Sequence, residues 1–390
     1  MKRKWVEFIA IKEIQIIIFL IINSLFVLKY SPRYSLNPYL SLVIYFGFVS
    51  TVYFTYRKIA SFGTEKLFKI LYFTLLFLAI CAIATSLILI DPYTIRVDRW
   101  SALSFFWDSV FSGKYPYGTH THVSETNFAS PFPIWHLINL PFYLLKDVGI
   151  SIIFFLCLFS FAIYKYFESY RKSLLVIILL LISPAYWWEV LVRSDGLSNA
   201  LLVMMLILWY SKNNKSLTNN IAISILICGF IAATRFTALL PLALFFFQPY
   251  LKLSIKQKII FPLTAFIIAT VAFLPFIFWD TETWVFFSRN PFMSQTGNGD
   301  WRILLVMFFV GVFMALKWNT IEEFFATAAI FISTFILFNQ LVRLSKFEEA
   351  NFFSDAVVDI SYFTLAIPYI IIFIAIKLSN TNAHLSLDEK

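Results

Sequence analysis

The sequence predicts an all-α polytopic membrane protein. The 390 residues are 60% hydrophobic and only 14% charged, whereas soluble domains run near 25% charged. Apolar runs of roughly 16 to 24 residues recur from end to end, and a helix crosses the ~30 Å hydrocarbon core in about 20 residues. The formal charge of +9 is also spread unevenly between alternate connections, as it is in multi-pass proteins.

Taken in order, the apolar runs place spans at 14–30, 39–56, 67–90, 149–167, 172–190, 196–211, 220–235, 236–250, 259–279, 302–317, 321–341 and 361–378. About 12 transmembrane helices put both termini on one side. With that side cytoplasmic, the inner segments hold 19 of the 31 basic residues and a net charge of +11, against −2 outside. Basic residues gather on the cytoplasmic side of membrane proteins. The positive balance is thereby assigned to topology, and no nucleic-acid partner is expected. The first run follows MKRK without a small-residue cleavage site, so it reads as an uncleaved span. Cys81, Cys157 and Cys228 all lie inside apolar runs and read as small hydrophobes. The whole of 1–380 reads as one transmembrane domain, followed by a polar cytoplasmic tail at 381–390.

The third span ends at Asp91, and the connection 91–148 is by far the longest on the outer side. It opens with DPYTIRVDRWSALSFFWDSVFSGKYPYG. Asp91, Arg96, Asp98 and Arg99 crowd into nine positions. From Trp100, apolar Leu103, Phe106, Trp107, Val110 and Phe111 alternate at helical spacing with Ser101, Ser104, Asp108 and Ser112. That pattern predicts an amphipathic helix lying in the headgroup plane. Gly113 is placed to end it in a left-handed cap, and Pro116 and Gly118 stiffen the exit. The run Pro131–Leu145 is short and interrupted by Pro131, Pro133 and Pro141. Proline disfavours a helix interior, so this run is expected to be a re-entrant or interfacial hairpin buried against protein.

Several residue types here suit chemistry. Asp98 reads either as the N-cap of the amphipathic helix or as a general base taking a proton from a sugar or lipid hydroxyl. Asp91 carries the same alternatives, as an interfacial residue before Pro92 or as a base. Arg96 and Arg99 are placed to pair with these acids or to hold a phosphate, which the planar guanidinium grips with two donors. His120, His122 and Glu125 form a sparse divalent-metal possibility, although polar loop residues read the same way. No metal or other cofactor is expected.

Downstream, PAYWWEVLVRSDGLSNA carries Glu189, Arg193 and Asp195 beside Trp187 and Trp188. Glu189 and Arg193 have i, i+4 spacing, and Arg193 is alternatively a contact for an anionic ligand near Asp98. Arg235 interrupts two apolar runs in TRFTALLPLALFFF, and a cation at such a place is a candidate clamp for a lipid phosphate. The 280–301 connection, with Asp280, Glu282, Arg289, Asp300 and the turn signals Asn290–Pro291 and Gly297–Asn298–Gly299, reads as a lid. Arg302 follows it, and Arg343 and Lys346 are further outer cations.

An acid just past an early span, an aromatic-rich interfacial helix, G-x-Y-P-Y and a proline-rich run follow one another here. With RSDGLSNALLVMML and TRFTALLPLALFFF, this resembles the GT-C superfamily of integral-membrane glycosyltransferases, especially the bacterial polyprenol-phosphate-mannose-dependent mannosyltransferases. The likeness covers roughly 65–380 and leaves two extra spans within 1–64. It implies transfer of mannose or a similar sugar from a polyprenyl-phosphate donor to a lipid or glycan acceptor, outside the cytoplasm and with inversion. It implies a base at Asp98, with Asp91 second, and carrier-phosphate binding by Arg193 and Arg235. It also implies a bacterial inner-membrane location. Many relatives carry an arginine where this chain reads DISYFTLAIPY; if one is needed there, either Arg343 substitutes or the donor differs. The competing readings are a transporter or flippase of lipid-linked glycans and a polymerase that moves whole oligosaccharides.

Overall fold

A computed structural model describes residues 4–213, 217–285, 290–296, 300–346 and 358–385. Among these, the regular structure is helical throughout, apart from one antiparallel bridge between His120 and Phe128. Seven helices are long and apolar enough to cross a membrane: Lys12–Tyr34, Pro38–Phe62, Glu65–Leu89, Ile150–Phe167, Ile255–Trp279, Ile321–Ser345 and Ile360–Leu378. The chain is therefore an all-α protein with several helices of membrane-spanning length.

The expected span 172–190 is not one straight helix. It forms Tyr170–Leu181 and Pro184–Leu191, bent by 65°. Pro184 supplies the reason, since it cannot donate to the preceding turn and its ring collides with it. The backbone groups freed by the break are met locally. Asn23 Oδ1 accepts from the Ser183 hydroxyl at 2.6 Å and from the Ala185 N–H at 3.2 Å. Four further apolar helices are shorter: Gly196–Lys212, Ile221–Ala232, Phe236–Leu251 and Trp301–Ala315. The shortest of these has 12 residues and rises only about 18 Å. The pair of spans expected to meet at 235/236 is separated by non-helical backbone at Ala233–Arg235.

The chain forms two compact units. The first comprises 1–83, 157–189 and 317–390. Its post is the Ile360–Leu378 segment, whose apolar window is 83% buried, whereas the window of Pro38–Phe62 is only 6% buried. A helix that is apolar all round suits such a central place. Lys29, deep in this unit, is 3% exposed and donates to the Val358 carbonyl at 2.5 Å.

The second unit comprises 84–156 and 190–316 and contains the long connection. The amphipathic helix forms at Arg99–Phe111. It ends as the sequence predicts: Gly113 has φ +70°, its N–H reaches Val110, and the Lys114 N–H reaches Ser109, a Schellman cap. Its apolar stripe, however, does not simply face lipid. Trp100 and Leu103 are buried with Trp135, Val148 and Phe155, and Phe106 is buried with Tyr117 and Ala129. The stripe is spent on protein, and Phe111 at the far end stays exposed.

Pro131–Leu145 is a single helix, Pro133–Leu144, with Pro141 inside it; it is not a hairpin. Its entry segment is stitched to the break at Ala233–Arg235. The Phe132 N–H donates to the Thr234 carbonyl at 2.9 Å and the Ile134 N–H to the Ala233 carbonyl at 3.0 Å. Each interruption thus supplies hydrogen bonds that the other lacks.

Candidate functional site

The 91–98 loop follows directly on the Glu65–Leu89 helix. Asp91 is exposed and Oδ1 accepts from the Tyr93 N–H at 3.0 Å, capping the single turn Pro92–Thr94. Asp98 stands at the N-cap position of Arg99–Phe111, yet its side chain makes no capping bond. Its Oδ2 instead accepts from Asn127 Nδ2 at 2.9 Å. No hydrogen bond to Oδ1 is found among the described residues. A half-buried carboxylate is thereby oriented by one oxygen and open at the other.

His122 braces the loop. Its Nε2 lies 2.7 Å from the Ile95 carbonyl and its Nδ1 lies 2.7 Å from Ser101 Oγ. A carbonyl only accepts, so Nε2 carries the proton. The ring also packs on Trp100 at 4.8 Å. Both ring nitrogens are engaged within the loop. His120 lies against Phe128 and Glu125 is exposed. Among the described residues no group of three His, Cys, Asp or Glu side chains is placed to hold a metal. The His120–His122–Glu125 possibility is therefore not realised as a ligand set.

The arginines divide into spent and unspent. Arg235 is buried and donates through Nε at 3.2 Å and Nη2 at 2.5 Å to Asp195 Oδ2. The same oxygen accepts from the Trp135 indole N–H. Burial by itself pushes the Asp195 carboxyl up, but Arg235 outweighs it and holds the group ionised, below the ordinary carboxylate range. Asp195 Oδ1 and His136 Nδ1 are buried and have no hydrogen-bond partner among the described residues. The His136 ring stacks on Phe106 at 3.6 Å. Arg193 is equally committed. Its Nη2 donates to the carbonyls of Leu87 at 2.6 Å and Ile90 at 2.9 Å, and Nη1 lies 3.3 Å from Asp147. Arg99 donates to Ser194 Oγ at 2.9 Å.

Arg96, by contrast, is exposed and makes no hydrogen bond or ion pair among the described residues. Arg343 lies in the last turn of Ile321–Ser345, within the other unit. In the 280–301 connection, Asp280 caps its own turn through Thr283 and Asp300 pairs with Arg302 at 2.9 Å. Arg289, the Gly297–Gly299 turn and the end of the tail at 386–390 lie outside the described residues.

Sequence reasoning noticed Asp195 but gave it no role, and gave none to Ser194, Trp135, Asp147 or Asn127. The available signal was R-S-D-G, three polar residues in a row after WWEVLV. For Asn127 there was none, because its meeting with Asp98 depends on how residues 99–126 double back.

The close approach at Arg193 explains a glycine. A Cβ on Gly149 falls 2.7 Å from Leu87 Cδ2 and 3.1 Å from Arg193 Cγ. Gly149→Ala is expected to destabilise the protein by about 1–3 kcal/mol, as overpacking does. Thermal unfolding in detergent checks this, and an unchanged midpoint removes the close-approach argument.

No family model, curated protein or solved structure matches this chain.

Proposed function

We propose that the chain is a multi-pass glycosyltransferase of the GT-C type. It transfers a sugar, mannose or similar, from a polyprenyl phosphate to a lipid or glycan acceptor on the extracytoplasmic face. In this reading the shorter apolar helices and the bent pair complete twelve crossings, Pro133–Leu144 enters the membrane without crossing it, and both termini are cytoplasmic in a bacterial inner membrane.

The observation that carries the reading is the 91–98 loop. It presents a carboxylate held by one oxygen, Asp98, two residues from the exposed guanidinium of Arg96. The acceptor hydroxyl gives its proton to Asp98 Oδ1 while its oxygen attacks the anomeric carbon. The bond from that carbon to the carrier's phosphate oxygen breaks on the opposite face, so configuration inverts. The departing phosphate keeps the electron pair and is neutralised by a cation. Arg193 and Arg235 were the matches for that cation, but Nη1 and Nη2 of Arg193 and Nε and Nη2 of Arg235 are already engaged within the fold. Arg96 has its donors available, and we assign it the carrier phosphate.

The test uses purified protein in nanodiscs with a panel of polyprenyl-phosphate monosaccharides, reading release of free polyprenyl phosphate. Release with at least one donor is expected, and none with any donor overturns the reading. Arg96→Ala is expected to raise KM for the donor about tenfold with little change in kcat, the pattern of lost uniform binding. An unchanged KM returns the phosphate to another cation.

A further inference from the structure

We propose that Arg193 and Ser194 are positioning residues that hold the 91–98 loop by its two ends. The two are consecutive, and each reaches a different end. Arg193 Nη2 binds the Ile90 carbonyl at 2.9 Å, one residue before Asp91. Ser194 Oγ accepts from Arg99 Nη1 at 2.9 Å, one residue after Asp98. Both anchors are buried: Ser194 is 1% exposed and the Arg193 side chain 6%. A buried anchor in low dielectric holds its partner more firmly than an exposed one.

The backbone carries a cost consistent with this arrangement. Arg193 has φ +50°, a left-handed conformation uncommon for a long side chain. Such a residue persists only where its surroundings over-determine it. Here the surroundings are the Leu87 and Ile90 carbonyls and Asp147, whose Oδ1 in turn accepts the Gly149 N–H at 2.8 Å. The left-handed step lets neighbouring side chains serve separate elements: the end of Glu65–Leu89, the start of Arg99–Phe111, and, through Asp195, the break at Arg235. With its ends fixed, the loop's charged side chains remain presented while its backbone is held, which is what an ordered site requires.

The positional claim stands on these contacts alone; its catalytic consequence rests on the reading of Asp98 as base. Ser194→Ala, Ser194→Thr and Arg193→Lys are compared with wild type in nanodiscs by hydrogen–deuterium exchange. Exchange within 91–98 is expected to rise about tenfold in Ser194→Ala and Arg193→Lys, with Ile321–Ser345 unchanged and Ser194→Thr restored to wild type. Unchanged protection of the loop in Ser194→Ala overturns the proposal. So does a rise spread evenly over the chain, which marks general loosening. On the same samples, kcat for sugar transfer is expected to fall and KM for the donor to rise, because Asp98 and Arg96 share the loop. A loop that exchanges faster while transfer keeps its rate leaves the anchors standing and overturns the role of Asp98 instead.

Discussion

Asp98→Asn is expected to lower sugar transfer by about 10²–10⁴-fold, the usual contribution of a positioned general base, in a protein that inserts and purifies as wild type. The substitution is nearly isosteric. Asn can still accept from Asn127 Nδ2, which holds Asp98 at 2.9 Å, so the loop keeps its shape and only the basic oxygen is lost. Asp91→Asn is the control. That carboxylate is engaged in capping the Pro92–Thr94 turn, and transfer near the wild-type rate is expected. Asn127→Ala should give a smaller loss than Asp98→Asn, because it frees the carboxylate without removing it. If Asp91→Asn abolishes transfer and Asp98→Asn does not, the base has been assigned to the wrong end of the loop.

Arg235→Met is expected to cost about 3–5 kcal/mol of stability, as breaking a buried ion pair from one side does. It leaves Asp195, 1% exposed, charged with the Trp135 indole as its hydrogen-bond donor and Arg99 as the remaining nearby cation. The double variant Asp195→Asn with Arg235→Met should recover most of the loss. Asn keeps an acceptor for Trp135, and no buried charge remains. Denaturation of wild type, Arg235→Met, Asp195→Asn and the double variant in one detergent measures the coupling. Additive losses in the double variant would show that the pair does not act as a unit.

Much of the fold was legible in the sequence. The apolar runs coincide with helices, seven of which, or eight counting the bent pair, are long and apolar enough to cross a membrane, and Gly113 ends Arg99–Phe111 with the left-handed cap its position predicts. The bend at Pro184 follows from proline chemistry, yet hydropathy hid it because the residues on either side are apolar. The aromatic stripe of Arg99–Phe111 had the right period and the wrong surroundings. Spacing shows that Trp100, Leu103 and Phe106 share a face, but not whether lipid or Trp135 and Tyr117 cover it.

The candidate site divides in the same way. Asp91, Arg96, Asp98 and Arg99 stand out in the sequence because a charged cluster among apolar runs is a local property of the chain. Helix formation, capping and burial of a continuous apolar run are likewise decided within a turn or two, so the sequence by itself determined the helices and the loop that carries these charges. Only the tertiary structure decided which charges are already paired. Arg235 meets Asp195 across 40 positions, Arg193 meets Ile90 across 103, and Asn127 meets Asp98 across 29. Pairings of that kind depend on the path of the chain between the partners, and no residue's identity records that path.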